Sequence, residues 1–169
     1  MQQAVNQSRR NLFRGRISRT GGIRPPWSLP ETSFLNTCER CSDCINACET
    51  SLLKKGDGGF PVADFSNAEC TFCEACVEAC SFDALKKTDD QSPWQVIAQI
   101  NDACLAKSRV HCRTCGEQCE VEAISFQLAP GGIALPALDT DQCNGCGACV
   151  AGCPVSAIAM RASMGEAQP

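Results

Sequence analysis

The sequence predicts an α+β protein of two tandem halves, each made of small strand pairs and short helices. Three observations predict it. All 16 cysteines of the 169-residue chain fall into four sets of four, with none left over. Glycine pairs recur at one distance from a set: Gly58-Gly59 lies twelve and eleven residues before Cys70, and Gly131-Gly132 lies the same distance before Cys143. An apolar pair follows the last cysteine of each set after three residues, as Leu52-Leu53, Ala84-Leu85, Ala123-Ile124 and Ala157-Ile158. A repeat of this length marks one structural unit duplicated. The first set therefore pairs with the second, and the third with the fourth. Aromatics are 5% of the chain and tyrosine is absent, so halves this short bury too little apolar surface to stand alone. The cysteines have to be the staple.

Cys143, Cys146, Cys149 and Cys153, the last followed by Pro154, form a C-x2-C-x2-C-x3-C-P run. Cys38, Cys41, Cys44 and Cys48 repeat the spacing, as do Cys70, Cys73, Cys76 and Cys80; Cys104, Cys112, Cys115 and Cys119 form a version with a longer first gap. This is the run of bacterial ferredoxins, in which the fourth cysteine ligates the neighbouring cluster of a pair. Crossed ligation follows. Cys38, Cys41, Cys44 and Cys80 hold one 4Fe-4S cluster, and Cys70, Cys73, Cys76 and Cys48 its neighbour. Cys104, Cys112, Cys115 and Cys153 hold a third, and Cys143, Cys146, Cys149 and Cys119 a fourth. The long gap before Cys112 leaves Cys104 the least secured ligand, with a three-iron or labile centre as the alternative. His111 stands beside Cys112 as another candidate ligand, although an exposed loop histidine is the ordinary case. Soft thiolates suit the iron of such clusters, and small residues such as Gly145, Gly147 and Ala148 let backbone N–H groups approach the sulfurs.

Other uses of cysteine fit less well. Three thiols within seven residues cannot bridge one another without strain, and zinc ribbons use two C-x2-C pairs separated by a long loop. A single histidine and the lack of a Gly-rich phosphate loop argue against an enzyme. No run of 18 apolar residues suggests a membrane span, and no nucleic-acid partner is expected.

Residues 1–30 read as a basic arm with six arginines and no acid; from Glu31 onward nine basic residues face 19 acidic ones, a formal −10. Ser8-Arg9-Arg10-Asn11-Leu12-Phe13 is similar to a twin-arginine export signal, but an apolar stretch of roughly 7 to 15 residues does not follow. The chain is therefore expected to stay in the cytoplasm. Ile23 to Ser28 is extended because of Pro25 and Pro26, with Trp27 anchoring the arm on the body or on a partner. The first half spans 31–89. In it, Glu49 to Leu53 reads as a short helical turn, Gly56 to Gly59 as a turn, and Phe60 to Phe65 as a strand. Polar residues 86–92 with Pro93 mark the internal boundary. The second half spans 94–161, with strands at Trp94 to Ile100, from Ile124 to Gln127 and at Ile133 to Leu138, and an insertion at Leu105 to His111 inside a ligand loop.

The Ile23-Arg24-Pro25-Pro26-Trp27-Ser28 segment, the widened set beginning Cys104-Leu105-Ala106, and the run from Cys143 through Cys153-Pro154-Val155-Ser156-Ala157-Ile158 together resemble the ferredoxin-type NapF family, over nearly the whole chain. The resemblance implies a cytoplasmic protein that binds the precursor of NapA, the catalytic subunit of periplasmic nitrate reductase. It would assist the maturation of NapA, ahead of export, by supplying electrons or iron and sulfide. The alternative is an electron-transfer ferredoxin or a subunit of a respiratory oxidoreductase chain.

Overall fold

The structure is a computed structural model and describes residues 22–88 and 92–162. Its elements are short, as a chain stapled by cysteines allows. Helix α1 (Glu31–Thr37) precedes the first cysteine set, and α2 (Asp43–Asn46) lies within it. Strands β1 (Leu53–Lys55) and β2 (Pro61–Ala63) form an antiparallel pair around a 3-10 turn at Asp57–Gly59, and α3 (Ala75–Glu78) carries the second set. Next come β3 (Val96–Ile100), α4 (Thr114–Glu117), β4 (Ile124–Ala129), β5 (Ile133–Leu138), α5 (Ala148–Ala151) and β6 (Ile158–Ala162). β4 pairs with β5 from Ile124 opposite Leu138 to Ala129 opposite Ile133, and β3 pairs with β6 from Val96 opposite Ala162 to Ile100 opposite Ile158.

Two apolar cores result. One gathers Phe34, Leu53, Ala84 and Leu85 around Cys44 and Cys76; the other gathers Ala98, Ile124 and Ile158 around Cys115 and Cys149. Both cores thus contain cysteines at their centre. The apolar pairs noted in the sequence are the buried anchors: Leu52, Ala84, Ala123 and Ala157 are each at most 1% exposed.

Several elements differ from expectation. The segment Glu49 to Leu53, expected as a short helical turn, is a turn that leads directly into β1, because Leu53 must face the core; the segment after Cys153 leads into β6 in the same way. α1 has no cysteine to announce it, yet Phe34 on it is completely buried. Residues 22–30 lie against the first core. Pro25 is fully buried, Trp27 is 4% exposed, and the Ala63 amide donates to the Ile23 carbonyl at 2.7 Å. Trp27 therefore anchors within its own chain and does not reach out to a partner. Ser28 and Leu85 form an isolated antiparallel bridge, which occupies in the first half the place of the β3–β6 pair in the second. Residues 1–21, with most of the arm and Arg9-Arg10, lie outside the described residues.

Candidate iron-sulfur sites

Three of the four ligand loops, the first, second and fourth, are built from the same backbone device. Residues on either side of the second cysteine take left-handed conformations: Arg40 (φ 58°) and Ser42 (φ 76°) in the first loop, Phe72 (φ 54°) and Glu74 (φ 64°) in the second, Gly145 (φ 79°) and Gly147 (φ 84°) in the fourth. Left-handed residues alternating with right-handed ones turn successive N–H groups to one side, the concavity found around phosphates and iron-sulfur centres. A short helix follows and buries the third cysteine, as Cys44, Cys76, Cys115 and Cys149. After the last cysteine comes a second recurring turn. Ser51, Asp83, Glu122 and Ser156 all have φ near 50° (57°, 53°, 52° and 49°), and their amides donate back to the carbonyls of Cys48, Cys80, Cys119 and Cys153 at 3.0, 3.4, 3.0 and 3.1 Å. A non-glycine residue in this region is uncommon, so its recurrence in all four sets reflects one imposed geometry.

The third loop departs from the pattern. Arg113 has φ −133°, and the left-handed residue is Arg109 (φ 66°), inside the insertion. The insertion closes on itself: the Ser108 amide donates to the Cys104 carbonyl at 3.1 Å and the Val110 amide to the Leu105 carbonyl at 2.9 Å. Ala106 is buried beneath it. This fold-back returns Cys112 to the side of Cys104.

The thiols gather around four cavities. Cys38, Cys41, Cys44 and Cys80 line the first, of about 350 Å³ with its open mouth included. Cys48, Cys70, Cys73 and Cys76 line the second, of about 370 Å³. The third, about 350 Å³, is lined by Cys104, Cys112, Cys115 and Cys153, and the fourth, about 310 Å³, by Cys119, Cys143, Cys146 and Cys149. Each cavity thus takes three cysteines from one set and the last from its partner set, and Cys104 is included. His111 is exposed and lines none of these four cavities. Among the described residues no three Cys, His, Asp or Glu side chains close on one point as ligands of a single ion. A zinc tetrahedron with Zn–S near 2.3 Å would draw its sulfurs to within about 4 Å of one another. Four thiols around a void suit a cluster several atoms across, and all 16 cysteines are free of disulfides.

The remaining walls are largely apolar: Phe34 and Leu85 at the first cavity, Trp27 and Phe72 at the second, Leu105 and Phe126 at the third, Leu138 and Met160 at the fourth. Such walls oppose charge on the thiols. Burial pushes Cys76 and Cys149 up to about 12 and Cys44 up to about 11, and neighbouring thiols add to each rise. Burial likewise takes Cys70 to about 11 against the pull of the Phe72 amide. Backbone amides work the other way, Ala148 on Cys146 and Ile45 on Cys44. The Ala157 N–H also donates to Cys153 Sγ at 3.2 Å. These sites disfavour thiolate until a positive centre joins them, and a coordinated cation reverses that balance.

Comparison with known proteins follows the same lines. The family described as "4Fe-4S dicluster domain" matches residues 37–84 and 108–162. "Ferredoxin-type protein NapF" of Haemophilus influenzae is 46% identical over 166 residues, covering 92% of this chain and 94% of that protein. Its namesake in Escherichia coli K12 is 48% identical over 155 residues, covering 91% and 94%. The chain belongs to the ferredoxin-type NapF family. As a NapF-type ferredoxin with two dicluster matches it is an iron-sulfur protein that carries multiple 4Fe-4S clusters, and the paired cavities fit that content. More distantly, a component of an ion-translocating oxidoreductase complex of Methanosarcina acetivorans is 38% identical over 130 residues, which is 73% of this chain and 47% of that protein.

The spacing did not point to the aromatic residues around these sites. Trp27 stands edge-on to Phe72, which stands edge-on to Trp94, which packs on Phe65. A signal for them is present in the sequence: a Pro-Trp pair recurs, Pro26-Trp27 ahead of the first half and Pro93-Trp94 where the second begins.

Proposed function

We propose that this NapF-type protein acts in the cytoplasm on the precursor of NapA, the nitrate reductase catalytic subunit, binding it ahead of export and supplying electrons or iron and sulfide to its centres. The carrying observation is the grouping of four cysteines at each of four cavities, taken with kinship to NapF along more than nine-tenths of the chain. In this reading each cavity holds one 4Fe-4S cluster through its four cysteines, four in all, within units spanning 31–89 and 94–161. A bound cluster of this kind takes up or releases single electrons. The chain's own residues fix the third thiol of each set on a short helix, turn backbone amides toward the sulfurs and keep water out with largely apolar walls. No helix among the described residues is long and apolar enough to cross a membrane.

The test is a pull-down under anaerobic conditions with two baits, signal-bearing NapA precursor and mature NapA. Retention on the precursor and not on the mature form is expected; equal retention on both would favour a plain carrier. That second reading, an electron-transfer ferredoxin or a subunit of a respiratory oxidoreductase chain, is supported by the similarity to the ion-translocating complex component.

A further inference from the structure

One backbone hydrogen bond links a residue of the second cavity to a residue of the fourth. The Cys70 amide, whose side chain lines the second cavity, donates to the carbonyl of Cys146, whose side chain lines the fourth, at 2.8 Å. The contact is closely fitted on both sides. A Cβ placed on Gly147 would come within 2.1 Å of Phe65, and one on Gly145 would meet the Val96 carbonyl at 2.6 Å and Trp94 Nε1 at 2.8 Å. The fourth ligand loop is therefore pressed against Phe65 of the first half and against Trp94 and Val96 of its own half. Phe72, in the wall of the second cavity, meets Trp94 at a ring-centroid distance of 6.4 Å. Trp94 Nε1 is buried and has no hydrogen-bond partner among the described residues, so close fit and not polar pairing places this ring. Within each half the cavities are adjacent through their helices, since α2 packs on α3 and α4 on α5.

We propose that the Cys70–Cys146 contact joins the halves electrically, so that the four sites form one row in the spatial order first, second, fourth, third. This rests on the cluster reading above. Electron tunnelling weakens exponentially with distance and is better served by bonds than by gaps. From Cys70 Sγ to Cys146 Sγ the route consists of side-chain and backbone bonds interrupted by a single hydrogen bond. Each transfer along the row moves one electron, with no bond made or broken and no proton required. A reduced flavin or iron-sulfur protein at one end is oxidised by one electron, and an oxidised iron-sulfur centre of a partner at the other end is reduced by one. Chain order would place the third site between the second and the fourth; the fold places it at the far end. The molecule then bridges two partners, one at each terminal site.

The experiment begins with iron and sulfide analysis of the unsubstituted chain purified anaerobically, because absence of both would overturn the cluster reading and the row together. A full-length C41A/C112A chain then removes one ligand from each terminal site. Electron paramagnetic resonance of the reduced protein is expected to show the two remaining inner centres as a spin-coupled pair. Two uncoupled signals from a chain that retains about half of the iron would overturn the row and leave the cluster reading standing. Pulsed dipolar spectroscopy on the unsubstituted, fully reduced chain gives an independent answer if the double variant does not fold. Three short centre-to-centre distances are expected, and two alone would refute the junction.

Discussion

At the scale of single residues, the last cysteine of each set separates two ways of wiring the sites. Cys48 lies in the first set by sequence but lines the second cavity, beside Thr50 at 3.6 Å. Cys48→Ser is therefore expected to lose the centre held by Cys70, Cys73 and Cys76 while sparing the one on Cys38, Cys41 and Cys44; iron content with electron paramagnetic resonance of the remaining centres reads the difference. Gly147 makes a second case. Its φ of 84° and the 2.1 Å approach of Phe65 to a hypothetical Cβ leave no room for a side chain, and left-handed backbone alone costs a non-glycine residue roughly 1–2 kcal/mol. Gly147→Ala should cost more than that backbone term and lower the iron content at the fourth site, as followed by denaturation and iron assay. The exposed Phe82, Val121 and Val155 stand at one place in three sets, two residues after the last cysteine, and each lines a cavity. Their apolar bulk covers part of each mouth and limits water access there.

At the scale of elements, α1 shows what cysteine spacing leaves out. Among the described residues Phe34 is the largest side chain that is fully buried, and Arg24 from the preceding segment lies 5.0 Å from the centre of its ring while also pairing with Glu31 at 2.7 Å. Phe34→Ala is expected to destabilise the loaded chain by about 3–5 kcal/mol, measured by denaturation. The Arg24 guanidinium holds the Glu31 carboxyl below its ordinary range, chiefly through their hydrogen bond. Glu31 stays charged, and its contribution is full, above the unfolded value; it is lost only as pH falls through the lowered folded value. With Glu31 53% exposed and water screening the pair from that side, Glu31→Gln should cost about 0.2–1 kcal/mol, with a penalty constant from about pH 6 to pH 8. A penalty that changed across that interval would show that another group titrates with the pair. The four sets, the duplicated glycine turn and the β4–β5 hairpin were legible because ligand spacing and turn chemistry are local. α1, β6 and the bridge at Ser28 were not, because Phe34, Ile158 and Trp27 are placed by contacts distant in sequence. The junction at Cys70 and Cys146 was hidden for the same reason: equivalence of the halves tells nothing of how they meet.

For the whole molecule, the cores and the sites are the same objects, since Cys44, Cys76, Cys115 and Cys149 sit at the core centres. Metal-binding energy then becomes folding energy. Stripping the iron with oxidant and chelator is expected to remove far-UV circular dichroism and compactness together, and a well-folded apo-protein would contradict this. Assembly meets a different constraint at Trp27. Its ring and Pro26 wall the second cavity, while its backbone accepts from the Lys86 amide and donates to the Pro93 carbonyl. Chains fold from the N-terminus while they are still being made. A ribosome-bound chain that has just released Leu85 already displays all eight cysteines of the first half, but neither Lys86 nor Pro93 has yet emerged to fasten Trp27 in place. Iron and sulfide delivered to the nascent chain would thus meet the second pocket with its cover still loose, and translation of the next eight residues would latch it.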